Sequence, residues 1–505
     1  MSAVVRQTYI ISDLHLGGVY PEPGSNDRGF RICTHASAVS DFVDALTAKP
    51  VDNPAIELIV NGDLVDFLAE RDDEGTADAW SAFTFEQPSA RKKLDAIIER
   101  DKGVFDSLAR YLAKGHRLVI LLGNHDIELA MPSVRDGLAK ALGVTKGSDY
   151  ELIRDGEGYL VGDTLVEHGN RYDSFNFVDY GKLQGHCQWI SRNQGHESAA
   201  FPPPPGSQMV ANIINPIKLH YKFIDLLKPE TGAVVPLLLT LEPGYRGLLG
   251  KVSLIAMQAR GAVKLAVTGK APAPAPAQSA PKASPSGGFE DDAPMTSDIS
   301  SGGGPMTEEA ALKAMLEEHI DADAHELRAL AVGEEHLLTS DISSGGDLVS
   351  HIWGMAKLLL SPASDAVHTR LDALASAFKS LQDDRTFDQS IETAPEYLDA
   401  ATALASNGIK HVVFGHTHMA KKIPLPSGGF YLNSGTWADV MKFPSDLLSG
   451  TKDESRARLS AFVDQISKGD FSTFTLFHPT YVRLDLDAGG VTSPELLQYE
   501  NAASV

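Results

Sequence analysis

Apolar residues in the first 180 positions show two alternating textures. Short β-rich runs at Thr8–Ile11, Ile56–Asn61 and Leu118–Leu122 are apolar almost throughout, as strands covered on both faces are. Between them apolar positions recur at helical spacing, around Ala36–Ala48 and again around Arg91–Ala113. In the second stretch Leu94, Ile97, Ile98, Phe105, Leu108 and Leu112 form the stripe. Strand, helix, strand at these lengths predicts βαβ crossovers and a largely parallel sheet, hence an α/β fold. Tyr159–Val161 and Thr164–Glu167 flank a turn at Gly162–Asp163. The strand texture returns at His411–Phe414, Phe430–Leu432 and Phe474–Leu486, with a turn expected at His478–Thr480.

The interval between these halves reads differently. FPPPPG at Phe201–Gly206 is stiff punctuation, and Asn212–Thr268 is apolar and mildly basic. Ala271–Gly288 is a Pro/Ala/Ser/Gly tract with the composition of a linker. Residues 290–341 are strongly acidic, with Thr307 placed to cap a helix that starts at Glu308 and Glu309. The octapeptide TSDISSGG occurs at Thr296–Gly303 and again at Thr339–Gly346, too few copies for a solenoid. The organisation expected is a core at 1–184, a mainly helical insertion at 185–400, and a second core part at 401–505 ending in a hairpin. An insertion of that length has to be a subdomain, because ordinary loops are far shorter.

Composition narrows the function. In 505 residues, 44 Lys and Arg oppose 67 Asp and Glu, a formal charge of −23. Such a chain repels polyanions at long range, so no nucleic-acid partner is expected. Cys33 and Cys187 are too few for a disulfide framework or a thiolate metal site. The start leads straight into polar chemistry without the pattern of a signal peptide, and no run reaches the ~20 apolar residues of a spanning helix. Together these predict a cytoplasmic protein. Peripheral membrane contact through the basic-apolar segment Asn212–Lys270 is one reading of that segment; a lid or a buried helical pair are the others.

Five motifs end strand-like runs: SDLHL (Asp13, His15), NGDLVDF (Asp63, Asp66), LGNHD (Asn124, His125, Asp126), EHGN (His168) and FGHTH (His416, His418). Sites in open α/β sheets form at the carboxyl ends of strands, so the five are expected to converge. Asp, His and Asn without thiolate suit Mn, Fe, Zn or Co. Seven such groups exceed one tetrahedral ion but match two ions sharing a carboxylate, a pair able to activate water and clamp phosphoryl oxygens. No GxSxG elbow and no GxxxxGK phosphate loop competes.

In this order the motifs resemble the calcineurin-like metallophosphoesterase superfamily, whose pattern is D-x-H, G-D-x-x-D, G-N-H-D/E, H and G-H-x-H. The resemblance implies a four-layer α/β/β/α sandwich of two mixed sheets. It implies one metal on Asp13, His15, Asp63 and His418, and a second on Asp63, Asn124, His168 and His416, with manganese the first expectation. His125 would be the histidine that stabilises the transition state or protonates the leaving oxygen. Asp66 would orient it, with Asp126 the competitor for that role. The activity implied is hydrolysis of a phosphate mono- or diester by a metal-bridging hydroxide. SDLHLGG also resembles the branch holding the UDP-diacylglucosamine pyrophosphohydrolases, which makes a nucleotide-linked lipid the alternative substrate, beside a phosphorylated small molecule. A non-catalytic scaffold retaining the fold is the rival from another class.

Overall fold

The computed structural model describes residues 4–19, 29–51, 54–72, 79–192, 201–219, 221–228, 237, 240–241, 367–378, 384–444 and 446–505. The linker tract 271–288, the acidic stretch 290–341 and both TSDISSGG copies lie outside the described residues, as do His196, His319, His325 and His336.

The described chain is mixed α/β. One sheet has six strands in the order β14 (Gly490–Gln498), β13 (Thr480–Asp487), β1 (Arg6–Ile11), β2 (Ala55–Asn61), β3 (Arg117–Leu121) and β4 (Tyr150–Ile153). The run β1 to β4 is parallel, as the alternating texture predicts, whereas β13 joins β1 antiparallel. A second sheet orders β5 (Tyr159–Val161), β6 (Thr164–Val166), β8 (His411–Phe414), β10 (Phe430–Asn433) and β9 (Lys421–Pro424). Here β6, before the long interval, pairs parallel with β8, after it, with Val166 opposite Val413.

The two-residue period of the strands sorts side chains into separate cores. Tyr9, Ile11, Leu58, Val60, Leu118 and Ile120 face Phe42 of α1 (Ala36–Thr47), Leu94 of α2 (Gln87–Arg100), Leu108 of α3 (Lys102–Ala113) and Val134 of α4 (Pro132–Ala141). Their alternates Ile10, Ile59 and Val119 meet Val161, Val166, Val413 and Leu432 of the second sheet. On that sheet's far face Val412, Phe414 and Tyr431 pack on Tyr397 and Ala401 of the helix Pro395–Leu404. Each fully buried side chain of this size contributes about 1.5–3 kcal/mol by leaving water.

Three local expectations are revised. The helical stretch 91–113 is two helices, because Asp101 at the break turns its carboxylate to the Gly17 N–H (2.9 Å) and to Arg31. Phe474–Leu486 does not fold back at His478–Thr480. Instead β12 (Thr475–Leu476) belongs to a third, small sheet with β11 (Val440–Lys442) and β7 (Leu227–Lys228). The C-terminal hairpin is β13–β14, turning at 488–489. Finally Met441, Phe443, Leu459, Phe462 and Ile466 share one hydrophobic cluster with Ile213, Ile217, Phe223, Leu371 and Leu374. Residues 440–466 therefore pack with the edges of the insertion. In the described part of Asn212–Lys270, Ile213, Ile217 and Phe223 are buried.

One buried acid yields a stability prediction. Glu128 accepts the Thr84 N–H at 2.9 Å, yet burial pushes its carboxyl up to about 7, against the pull of Lys93. Between the ordinary value and 7 the folded chain holds a proton that the unfolded chain releases, so this group's contribution to stability falls as pH rises through that window. Glu128→Gln keeps the acceptor and removes the titration. It is expected to be more stable than the parent at pH 8, by up to about 3 kcal/mol, and indistinguishable near pH 4. Urea midpoints of both proteins across pH 4–8 measure this.

Candidate metal centre

All five motifs leave the ends of strands on one side of the two sheets. Asp13 follows β1, Asp63 follows β2, Asn124 and His125 follow β3, His168 follows β6, and His416 and His418 follow β8. Backbone hydrogen bonds stitch these loops together. The N–H groups of Leu14 and His15 donate to the Asp63 carbonyl (both 2.9 Å), and that of Phe67 to the His125 carbonyl (3.1 Å). Side chains do the same: Asp63 Oδ1 accepts from the His125 N–H (2.8 Å) and Asp13 Oδ2 from the His416 N–H (2.9 Å).

Backbone strain marks the same residues. Six described non-glycine residues have positive φ, and five of them are Asp13 (55°), His15 (46°), Asp63 (52°), His416 (68°) and His418 (63°). The left-handed region costs about 1 kcal/mol or more for such residues and persists where surrounding structure demands it. Here it turns each side chain back toward the others. Two glycines permit the close approach. A Cβ on Gly62, itself at φ +85°, would lie 2.2 Å from His168 Nδ1, and one on Gly123 would lie 2.1 Å from Asp63 Oδ1.

Asp63 Oδ2 sits between two donor sets. It is 3.8 Å from His15 Nε2 and 3.2 Å from His168 Nε2. On one side His15 Nε2 faces His418 Nε2 at 3.0 Å, with Asp13 Oδ1 at 3.5 Å from His418 and 4.0 Å from His15. On the other, Asp63, His168 and His416 bring one donor atom each within 4.8 Å of one another. Each triad is able to hold a metal ion. Donors bound to one small divalent ion at about 2.1 Å lie about 3.0–3.4 Å apart; the separations of 3.0, 3.2 and 3.5 Å are close to this, and those of 3.8 and 4.0 Å are wider.

The donor atoms are also left bare in the right places. Asp13 Oδ1 and Asn124 Oδ1 are buried and accept no hydrogen bond among the described residues, a costly state that a cation relieves. His168 Nδ1 donates to the Asn61 carbonyl (2.8 Å), which fixes the tautomer and points the Nε2 lone pair at Asp63. Burial works against a proton on His168, but the carboxylates of Asp63 and Asp13 raise its pKa to about 9. Burial alone would raise Asp63, but His168, His125 and His15 hold its carboxyl far below the usual range. Carboxylates that attract a proton onto a buried imidazole offer the same position to a metal cation.

Asp66 does more than expected. Its Oδ1 lies 3.1 Å from His125 Nδ1, and its Oδ2 lies 3.4 Å from His15 Nδ1. It therefore bonds to the His125 ring and lies beside the His15 ring as a charge, short of a hydrogen bond. Burial would lower the His125 pKa, but Asp66 and Asp63 raise it to about 10. Asp126 plays a different part: its carboxylate accepts the N–H groups of Leu64 (2.9 Å) and Gly123 (2.8 Å), tying two loops together.

Other polar side chains nearby have structural roles. Arg171 donates to the Gly156 carbonyl. His186 is fully buried against Phe83 and Phe85, and the neighbouring Cys187 thiol is pushed up to about 11 by burial. Three contributors were not singled out for the site. Asp173 reaches His416 Nε2 at 3.0 Å. Lys218 and Lys228, both buried, act electrostatically on His125 and His418, and with burial Lys228 drives the His418 pKa far down. A basic run within an acidic chain was the one signal for the lysines. Asp173 carried none beyond following His168.

No protein-family model, no curated protein and no solved structure matches the chain. Among the described residues no helix is long and apolar enough to cross a membrane.

Proposed function

We propose that this protein is a dinuclear metal-dependent phosphoesterase of the calcineurin-like metallophosphoesterase type, hydrolysing a phosphate mono- or diester. The observation that carries the reading is Asp63 Oδ2, buried between the Asp13, His15 and His418 group on one side and His168 with His416 on the other. Two mixed sheets packed face to face, with helices outside each, support the four-layer α/β/β/α arrangement. Asp13, His15, Asp63 and His418 would hold one ion; Asp63, Asn124, His168 and His416 would hold the other. All-N/O donors suit manganese, iron, zinc or cobalt, and the resemblance makes manganese the first expectation.

When bound, such ions polarise phosphoryl oxygens and lower the pKa of a water beside phosphorus. The chain supplies the rest. Asp66 holds His125 through Nδ1, leaving Nε2–H to donate to the departing oxygen, and the adjacent carboxylates keep that proton in place near neutral pH. Asp13 and Asp63 anchor the loops with one oxygen each and turn the other inward. The ammonium groups of Lys218 and Lys228 favour an anionic substrate despite the chain's net charge.

A metal-reconstituted panel tests the reading. Apo protein loaded with Mn²⁺ is assayed on p-nitrophenyl phosphate, its bis ester, a cyclic nucleotide and a nucleoside-diphosphate lipid. Turnover of at least one substrate, lost to chelator and restored by Mn²⁺, is expected. A protein that carries two ions and turns over none of them would favour a scaffold.

A further inference from the structure

We infer that Asp173 and Asn176 form a positioning brace that orients Asn124 and His416 as ligands of one and the same cation. The inference rests on the dinuclear reading above and concerns residues that reading leaves out.

Hydrogen-bond direction fixes each member of the brace in turn. An ionised carboxylate only accepts. The carboxylate in question is Asp173, whose Oδ2 lies against the Asn176 amide and the His416 ring. Whatever meets it must therefore donate, and Asn176 Nδ2 does so at 2.7 Å. That fixes the Asn176 amide, so its Oδ1 is the atom turned toward Asn124. Only a donor can meet it there, and Asn124 Nδ2 lies 3.4 Å away. The Asn124 amide is thereby set with Oδ1 on the opposite side, and that oxygen is the buried atom without a hydrogen bond. The other Asp173 contact acts on the second ligand: Oδ2 lies 3.0 Å from His416 Nε2, which commits that nitrogen as the donor and leaves Nδ1 as the lone pair. One carboxylate thus decides the ligating atom of two side chains about 290 positions apart in sequence.

The brace is itself held. The Phe175 N–H donates to Asp173 Oδ1 (2.7 Å), and Asn170 Nδ2 donates to the Asn176 carbonyl (2.9 Å). It also touches the beginning of the long interval. The Gly206 N–H donates to the Phe175 carbonyl (2.7 Å), and a Cβ at Gly206 would lie 2.2 Å from Asn176 Oδ1. The glycine of the Pro-rich punctuation is needed for this contact.

The test titrates Mn²⁺ into full-length apo protein by calorimetry, for the parent, Asp173→Asn and Asn176→Leu. Asn176→Leu keeps the branched outline and the Asp173 charge while cutting the relay, so a folding defect in one variant is separable from the effect. Thermal unfolding of each apo protein controls for fold. Two ions are expected to bind the parent. In both variants one is expected to bind as before and the other 10–100-fold more weakly, the range known for groups that orient metal ligands. Two ions bound with parental affinity in both folded variants would overturn the brace. A parent that binds no metal would overturn the dinuclear reading instead.

Discussion

Asp63→Asn is expected to abolish hydrolysis, by about 10³-fold or more, or about 4 kcal/mol of transition-state stabilisation. The geometry makes this variant informative. The carboxamide oxygen left in place of Oδ1 can still accept the His125 N–H, so the loop contact at 2.8 Å survives. What disappears is Oδ2, the one oxygen near both His15 Nε2 and His168 Nε2. An NH₂ group there cannot ligate and would present hydrogens to the His168 lone pair. Metal content by elemental analysis is expected to fall with turnover, while the unfolding temperature of the apo protein holds or rises as a buried charge is removed. A variant with both ions and full turnover would sink the proposal.

His125→Gln is the second large effect, and its size depends on substrate. A general acid contributes most where the leaving oxygen is most basic, typically 10²–10⁴-fold. With an alkyl phosphate kcat is expected to fall by that factor. With p-nitrophenyl phosphate, whose leaving group departs without a proton, the loss is expected to stay within about tenfold. Metal content is expected to be unchanged in both cases, because the His125 side chain bonds to Asp66 and belongs to neither the Asp13, His15 and His418 group nor the Asp63, His168 and His416 group. Equal losses on the two substrates would assign His125 to charge stabilisation rather than proton transfer.

Much of the site was legible because its chemistry is local in the chain. Asp13 and His15, Asp63 and Asp66, and His416 and His418 are short-range pairs, and each lies just past a strand visible from its apolar run. Asp66 against Asp126 was not decidable in that way. Both are acids beside the same histidine, and only the turn of the loops brings Asp66 to His125 while aiming Asp126 at two backbone N–H groups. The left-handed backbone at five of the candidate ligands was equally hidden, since Asp and His adopt it only when the surrounding packing imposes it. The C-terminal turn was misplaced for a related reason. Phe474–Leu486 reads in sequence as two strands about a turn at His478–Thr480, but its two ends join different sheets.

The sequence alone determined the α/β texture, the parallel central strands and the inventory of donors, because strand periodicity and side-chain chemistry are written residue by residue. Tertiary structure alone decided which oxygen of Asp63 faces the two histidine sets, that Asp66 lies beside both His15 and His125, and that Asp173 and Asn176 stand behind His416 and Asn124. Those relations depend on distances between strands dozens to hundreds of residues apart, and hydrogen-bond direction has meaning only once such groups are within about 3 Å of one another.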